Sequence, residues 1–147
     1  MTAEGLIERR IRDSFARQQA MITIGASISV VRRGHVEIVL PYSPALTQQH
    51  GFMHAGITGM IADTACGYAA LTLMPADTAV LTTEFKLNLL APAKGERFVA
   101  VGKVVRSGKK LMVCLGEVFA EERGKRKQIA LMTASMMVID PGTGMRD

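Results

Sequence analysis

Between Ile57 and Met74 the chain runs for the length of a long helix with one charged residue, Asp63, set among Gly59, Ala62, Ala65, Gly67, Ala69 and Ala70. A helix without a charged face must be covered around most of its circumference, and small side chains make it narrow enough for neighbouring backbones to come close. The rest of the fold therefore has to curl around this segment. A bilayer is a poor cover: the run barely reaches the ~20 apolar residues that a span requires, and it contains an acid. The expected element is a buried helix from about Gly56 to Met74, closed by Pro75.

The remaining sequence supplies the wrapping. "TAVLTTEFKLNLLAP", "ERFVAVGKVVRSG", "KKLMVCLGEVFAEE" and "KRKQIALMTASMMVID" are β-rich segments divided by Pro92-Ala93-Lys94-Gly95, Ser107-Gly108 and Glu122-Arg123-Gly124. Short turns predict antiparallel pairing of consecutive strands. Strands of roughly ten residues suit a strongly curved sheet. Upstream, "ITIGASISVVRRGHVEIVLPY" predicts a hairpin that turns at Arg33-Gly34 and is ended by Pro41 and Pro44. Ile7, Ile11 and Phe15 recur every four residues among charged neighbours, which predicts an amphipathic N-terminal helix over about residues 1–20. The expected fold is α+β in the order α-β-β-α-β-β-β-β, one domain over residues 1–147, with a frayed tail over 140–147.

Composition narrows the partners. A net charge of +5 favours anionic ligands, but Trp is absent and only 5% of residues are aromatic, so a base-stacking platform is poorly supplied. An anionic small molecule is expected, not nucleic acid. Cys66 and Cys114 lie in apolar stretches and read as structural thiols. His35, His50 and His54 lack ligand spacing, so no metal is expected. The charged N-terminus, "MTAEGLIERRIRDSFARQQ", has no apolar core of a secretory signal, and the expectation is a cytoplasmic protein without membrane insertion.

Asp63 then needs an account. A carboxylate on an uncharged buried helix is expensive unless hydroxyls or backbone groups bond it, or unless it is used. Both readings stand at this point. At the other end of the segment, His54-Ala55-Gly56 marks the helix start, where backbone N–H groups lack intrahelical partners and lie at the positive end of the dipole. Such donors can stabilise a carbonyl oxygen that acquires negative charge, and Gly56 permits close approach. Many helix starts with glycine do nothing beyond capping. Asp63 lies two turns beyond Gly56, about 10 Å along the axis, so one chain's acid cannot reach an atom held at its own helix start. Two such helices packed antiparallel across a two-fold axis would bring each acid to the other's N-terminus, which predicts paired sites at a dimer interface.

These residues resemble the hotdog-fold acyl-CoA thioesterases, in particular the PaaI-like branch related to phenylacetate-pathway thioesterases. The resemblance runs from Ile22 to Ile139. Its most specific part is "HGFMHAGITGMIADTACGYAA", similar to the family's His-Gly-Gly followed by an acid on the central helix, with support from "TTEFKLNLLAPAKGERFVAVGKVVRSGKKL". It implies the hotdog fold, a curved antiparallel sheet wrapped around the central helix. It implies hydrolysis of an acyl or aryl thioester to a carboxylic acid and free CoA, with no cofactor apart from the CoA thioester that is the substrate. It also implies a homodimer, with a homotetramer of two dimers as a further assembly.

By position, the resemblance implies that Asp63 acts as general base or nucleophile and that Gly56 and its neighbours polarise the thioester carbonyl, with Ala55 among the substrate-binding residues. It implies that His54 holds the loop or the substrate, that Gln48 orients water or carbonyl, and that Thr82 stands near the attacking water. "RSGKK", Arg106, Ser107, Gly108, Lys109 and Lys110, matches the region that contacts nucleotide and pantetheine; Arg32-Arg33 is a weaker phosphate candidate. The sequence departs from the family pattern at Ala55, in place of the first glycine, and at Gln48, one methylene longer than the common Asn. Met53, Met60 and Met74 read either as core or as a pliable acyl pocket. A non-catalytic acyl-CoA binder or sensor on the same fold is the alternative. A hydratase is disfavoured because its Asp-and-His pair is not found at the expected spacing.

Overall fold

The computed structural model describes residues 1–147. The uncharged segment forms helix α3 (Ala55–Leu71), numbered after two helices described below, and 11 of its 17 residues are buried. One six-stranded antiparallel sheet wraps it: β1 (Ser27–Arg32), β2 (His35–Pro41), β3 (Ala79–Leu89), β4 (Arg97–Ser107), β5 (Leu111–Glu122) and β6 (Lys125–Ile139). The helix can lie this close because small residues meet on both sides. Gly102 on β4 stands opposite Gly116 on β5 in the register, and the pair forms a furrow under Ala62, Ala65 and Cys66. A Cβ on Gly102 would lie 2.3 Å from the carbonyl carbon and oxygen of Ala65, whereas one on Gly116 would meet Cys66 Sγ at 3.0 Å. The core around this contact includes Ile38, Leu40, Ile61, Phe98, Met132 and Met136, all fully buried.

Strand order is β1-β2-β4-β5-β6-β3, which corrects the expected consecutive pairing. The β1–β2, β4–β5 and β5–β6 pairs are hairpins as predicted, but β3 pairs with β6 and β2 takes the place beside β4. The β3–β4 connection is too long for a tight turn and contains Pro92, and the Leu90 and Ala91 N–H groups both donate to Ile129 O, which leads the chain away along β6. As a result β3 is an edge strand. A bulge between Thr82 and Glu84 shifts its register.

The N-terminal helix is shorter than expected and is followed by another: α1 (Ala3–Ala16) and α2 (Gln19–Ile24). Ile22–Ile24 is thus helical, not the beginning of a strand, because Gly25 at φ 82° is a left-handed terminator that ends the helix one residue later. Ile11 and Met21 are fully buried, and the Arg10 guanidinium donates to Met74 O at 3.2 Å and Thr78 O at 2.7 Å, which ties α1 to the segment beyond α3. The tail expected to fray carries a 3-10 turn at Pro141–Thr143. Its last residue returns to the body, where Asp147 Oδ2 accepts from Val80 N–H at 2.7 Å.

Both cysteines are free and buried. Burial pushes the Cys114 thiol up to about 12 and the Cys66 thiol higher still, so both behave as small core hydrophobes. No helix is long and apolar enough to cross a membrane.

Candidate active site

His54 is the N-cap of α3, and its Nδ1 accepts from Gly56 N–H at 2.8 Å. Ile57 and Thr58 N–H donate to His54 O at 2.9 and 3.1 Å. The Gly56 N–H expected to face a substrate is therefore used within the chain. The donor left without a partner at the helix start is Ala55 N–H. The reason is local: an N-cap side chain reaches the second or third helical N–H and never the first. Ala55 is helical and is not among the residues at positive φ, so the methyl group that replaces the family's glycine hydrogen introduces no backbone strain. With Nδ1 accepting, the neutral His54 ring carries its proton on Nε2, a second donor at the same helix end.

Gln48 lies in the loop before the helix. Its Oε1 accepts from the His50 and Phe52 N–H groups, so the carbonyl end holds the loop and the amide NH2 is the free end. Gln48, Phe52, Met53, Ala55 and Thr58 line one side of a mostly apolar groove of about 480 Å³, with Leu89–Ala93 and Ile129 on the other. Of the three methionines considered as a pocket, Met53 lines this groove and Met74 belongs to the core. The sequence reading missed the Leu89–Ala93 wall and Thr58, whose buried hydroxyl has no partner in the chain. The wall forms only because β3 runs beside β6.

Asp63 stands about two turns further along, near the middle of α3. Thr82 Oγ1 donates to Asp63 Oδ1 at 2.7 Å, and the β3 bulge beside Thr82 is the kind of irregularity that re-aims a side chain. The two residues share a smaller cavity of about 200 Å³ with Gln18, Tyr68 and Asp147. Burial raises the Asp63 pKa above the ordinary carboxylate value, and the Thr82 hydrogen bond opposes that shift. A raised folded-state pKa means that the native state binds the proton more readily than the unfolded chain. Asp63 therefore lowers stability progressively as pH rises from 3.8 through its folded pKa. For a reaction that needs the carboxylate, the acid limb of a pH–rate profile sits correspondingly high. Thr82→Val removes the opposing hydrogen bond, and the expected result is an acid limb displaced to still higher pH; a limb that stays in place or moves down would contradict the pairing.

The structure thus unites Asp63 with Thr82 in one cavity and Gln48 with Ala55 in another, the first beside the middle of α3 and the second at its start, where His54 caps the helix. The Arg106–Lys110 turn falls on the side of the sheet where Asp63 meets Thr82. Thr82, Met136, Met112 and Ser107 form one row across four strands, about 14 Å at the usual strand spacing. Arg106, Lys109 and Lys110 are exposed, and no carboxylate pairs with them. Gly108 is required in the turn, since a Cβ there would sit 2.3 Å from Leu111 O. Along β3, Phe85 and Leu89 are 51% and 56% exposed on the face that carries Thr82, and Leu81, 47% exposed, lies on the opposite face beside Met137, on a strand whose outer edge is unpaired.

The sequence profile of the thioesterase superfamily matches residues 50–127. The crystal structure of a thioesterase family protein from Silicibacter pomeroyi is 50% identical and superposes with a TM-score of 0.89, covering 90% of this chain and 98% of that one. The E. coli PaaI protein from the phenylacetic acid degradation operon has the same fold at 18% identity, with a TM-score of 0.85 over 95% of this chain and 97% of that one. Among curated relatives, an esterase-named protein of Saccharolobus solfataricus is 27% identical over 103 residues, 70% of this chain and 68% of its own.

Proposed function

This chain belongs to the thioesterase superfamily and has its hotdog fold, and from that premise we propose that it hydrolyses an acyl or aryl thioester of coenzyme A at sites shared between two copies. The observation that carries this reading is the separation of the two half-sites. The start of α3 offers an unpaired N–H at Ala55, and a point about two turns further along offers a carboxylate held by Thr82. Neither half can act on a bond held at the other half-site of its own chain. Antiparallel apposition of two β3 edges about a two-fold axis covers Phe85 and Leu89 and brings the Ala55 half-site of one copy to the Asp63 half-site of the other. Two such dimers can pair further into a tetramer.

In this arrangement the thioester carbonyl oxygen accepts from Ala55 N–H at the positive end of α3, which stabilises the charge that develops on it. Thr82 occupies Asp63 Oδ1, and Oδ2 remains to take a proton from water as the water oxygen bonds to the carbonyl carbon. Collapse of the tetrahedral species breaks the C–S bond and releases CoA thiolate, which takes up the proton. Direct attack by Asp63 would instead give an acyl anhydride that water then opens. The Gln48 NH2 and His54 Nε2–H are placed as further donors to water or carbonyl. Arg106, Lys109 and Lys110 supply charge for the phosphates of the same substrate.

A thiol-release assay over a panel of aliphatic and aryl CoA thioesters is the direct test. Turnover of at least one member is expected. Saturable binding with no thiol released from any of them would overturn the enzyme reading in favour of an acyl-CoA sensor.

A further inference from the structure

A second basic cluster, on the β5–β6 hairpin, is not used by the reaction above. Lys127 and Lys125 stand opposite Ala120 and Glu122 in the register, on the face that carries the buried Val118 and Ala120. That face of the sheet continues past the core as a cationic lip. Lys94, Arg123, Lys125, Arg126 and Lys127, with the single acid Glu122, line a groove of about 530 Å³ there. Arg126 is paired with Glu121 at 2.8 Å, but Lys94, Arg123, Lys125 and Lys127 have no carboxylate partner. Unpaired cations facing one concavity repel each other unless an anion joins them.

Two further observations point the same way. The turn is left-handed at both central residues, with Arg123 at φ 51° and Gly124 at φ 74°. Asn or Gly would suit the first of these positions, so an arginine is held there against its backbone preference, as happens where a side chain is needed. The cationic groove also adjoins the apolar groove of the Ala55 half-site: Ala93 lines one and Lys94 the other. An apolar channel that opens onto unpaired cations fits a ligand with a long neutral arm ending in phosphates.

We propose that the β5–β6 hairpin is a phosphate-binding subsite that takes the phosphorylated nucleotide end of the CoA thioester, with Lys125 and Lys127 as the principal contacts. The assignment rests on the thioesterase reading for its choice of ligand. Antiparallel β3 edges would set this hairpin of one copy near the Asp63 half-site of the other, where Arg106–Lys110 lies, so the two basic turns address the same substrate from different chains.

The test titrates CoA, dephospho-CoA and pantetheine calorimetrically into the full-length protein and its K125Q/K127Q variant, and compares kcat/KM for the CoA and pantetheine thioesters of one acyl group. Both lysines are exposed, and K125R/K127R serves as the rescue control. Affinity for CoA is expected to fall about tenfold in the glutamine variant and to recover in the arginine variant. The acyl-CoA to acyl-pantetheine ratio of kcat/KM should fall by a similar factor. Loss confined to CoA assigns the contact to the 3′-phosphate, and loss shared by dephospho-CoA assigns it to the diphosphate. Unchanged CoA affinity, or an equal loss for pantetheine, overturns the subsite. So does intact CoA binding with a selective loss of turnover on an acyl carrier protein, which would make the hairpin a protein-docking surface. Hairpin-dependent CoA binding without turnover would sink the hydrolase reading and leave the subsite standing.

Discussion

Asp63→Asn is expected to lower kcat by roughly 10²–10⁴-fold, the range a positioned general base supplies, while the protein remains folded and assembled. The amide keeps the shape of the carboxylate and can still accept from Thr82 Oγ1, now at 2.7 Å from Asp63 Oδ1. It also removes the charge whose burial raises the Asp63 pKa, so stability at neutral pH should hold or improve. Turnover close to that of the native protein would remove Asp63 from the mechanism. The complementary change is Ala55→Pro. Proline lacks the N–H at issue, is welcome at the first position of a helix, and follows a residue whose φ −60° and ψ 137° already suit a proline neighbour. Loss of this one donor should cost about 10²–10³-fold in kcat with α3 intact. If the sites are shared, mixing the two inactive chains in equal amounts restores about a quarter of native activity, because half the dimers are mixed and each carries one complete site. No recovery after verified subunit exchange would show that each chain works alone.

Gly102→Ala is expected to produce the largest loss of stability of any single methyl addition in the chain's core. The new Cβ would lie 2.3 Å from the Ala65 carbonyl carbon and oxygen and 2.6 Å from Cys66 N, all backbone atoms in the middle of α3. No side-chain rotation can relieve that contact, so the helix must lift from the sheet or the strand must bend, at a cost of about 3 kcal/mol or more. A drop in Tm of roughly 10 °C follows for a domain of this size. Gly116→Ala, which meets the Cys66 Sγ at 3.0 Å, should cost less because a thiol can turn aside. Thermal denaturation of the two variants side by side checks this; equal and small losses would mean that the helix–sheet furrow is looser than the glycine pair implies.

The legible part of the fold was whatever local chemistry controls. The absence of a charged face marked α3, Arg33-Gly34 and Arg123-Gly124 marked their turns, and the β-rich runs marked the strands within a few residues. Where the reading went astray, a distant partner made the decision. Ile22–Ile24 looks like a strand by composition but completes a helix that Met21 buries. The edge position of β3 depends on competition between β2 and β3 for the side of β4, which no single segment encodes.

The site divides along the same line. Sequence alone placed an acid two turns into a helix that begins at a histidine and a glycine, and the known rise of a helix was enough to rule out their joint action within one chain. It also determined that the donor end and the acid end must come from different copies if they act together. Only the structure decided that the helix starts with His54 as its N-cap and that the imidazole turns onto Gly56 N–H; once that cap is set, the local N-cap rule leaves Ala55 N–H free. Tertiary structure likewise gave Asp63 its hydroxyl partner on β3, since Thr82 reaches the helix only after the strand has crossed to the far edge of the sheet and bulged. Helical periodicity and charge are properties of neighbours along the chain and can be read from it; which hydrogen-bond donor is left unpaired is settled only when every competing acceptor has found its place.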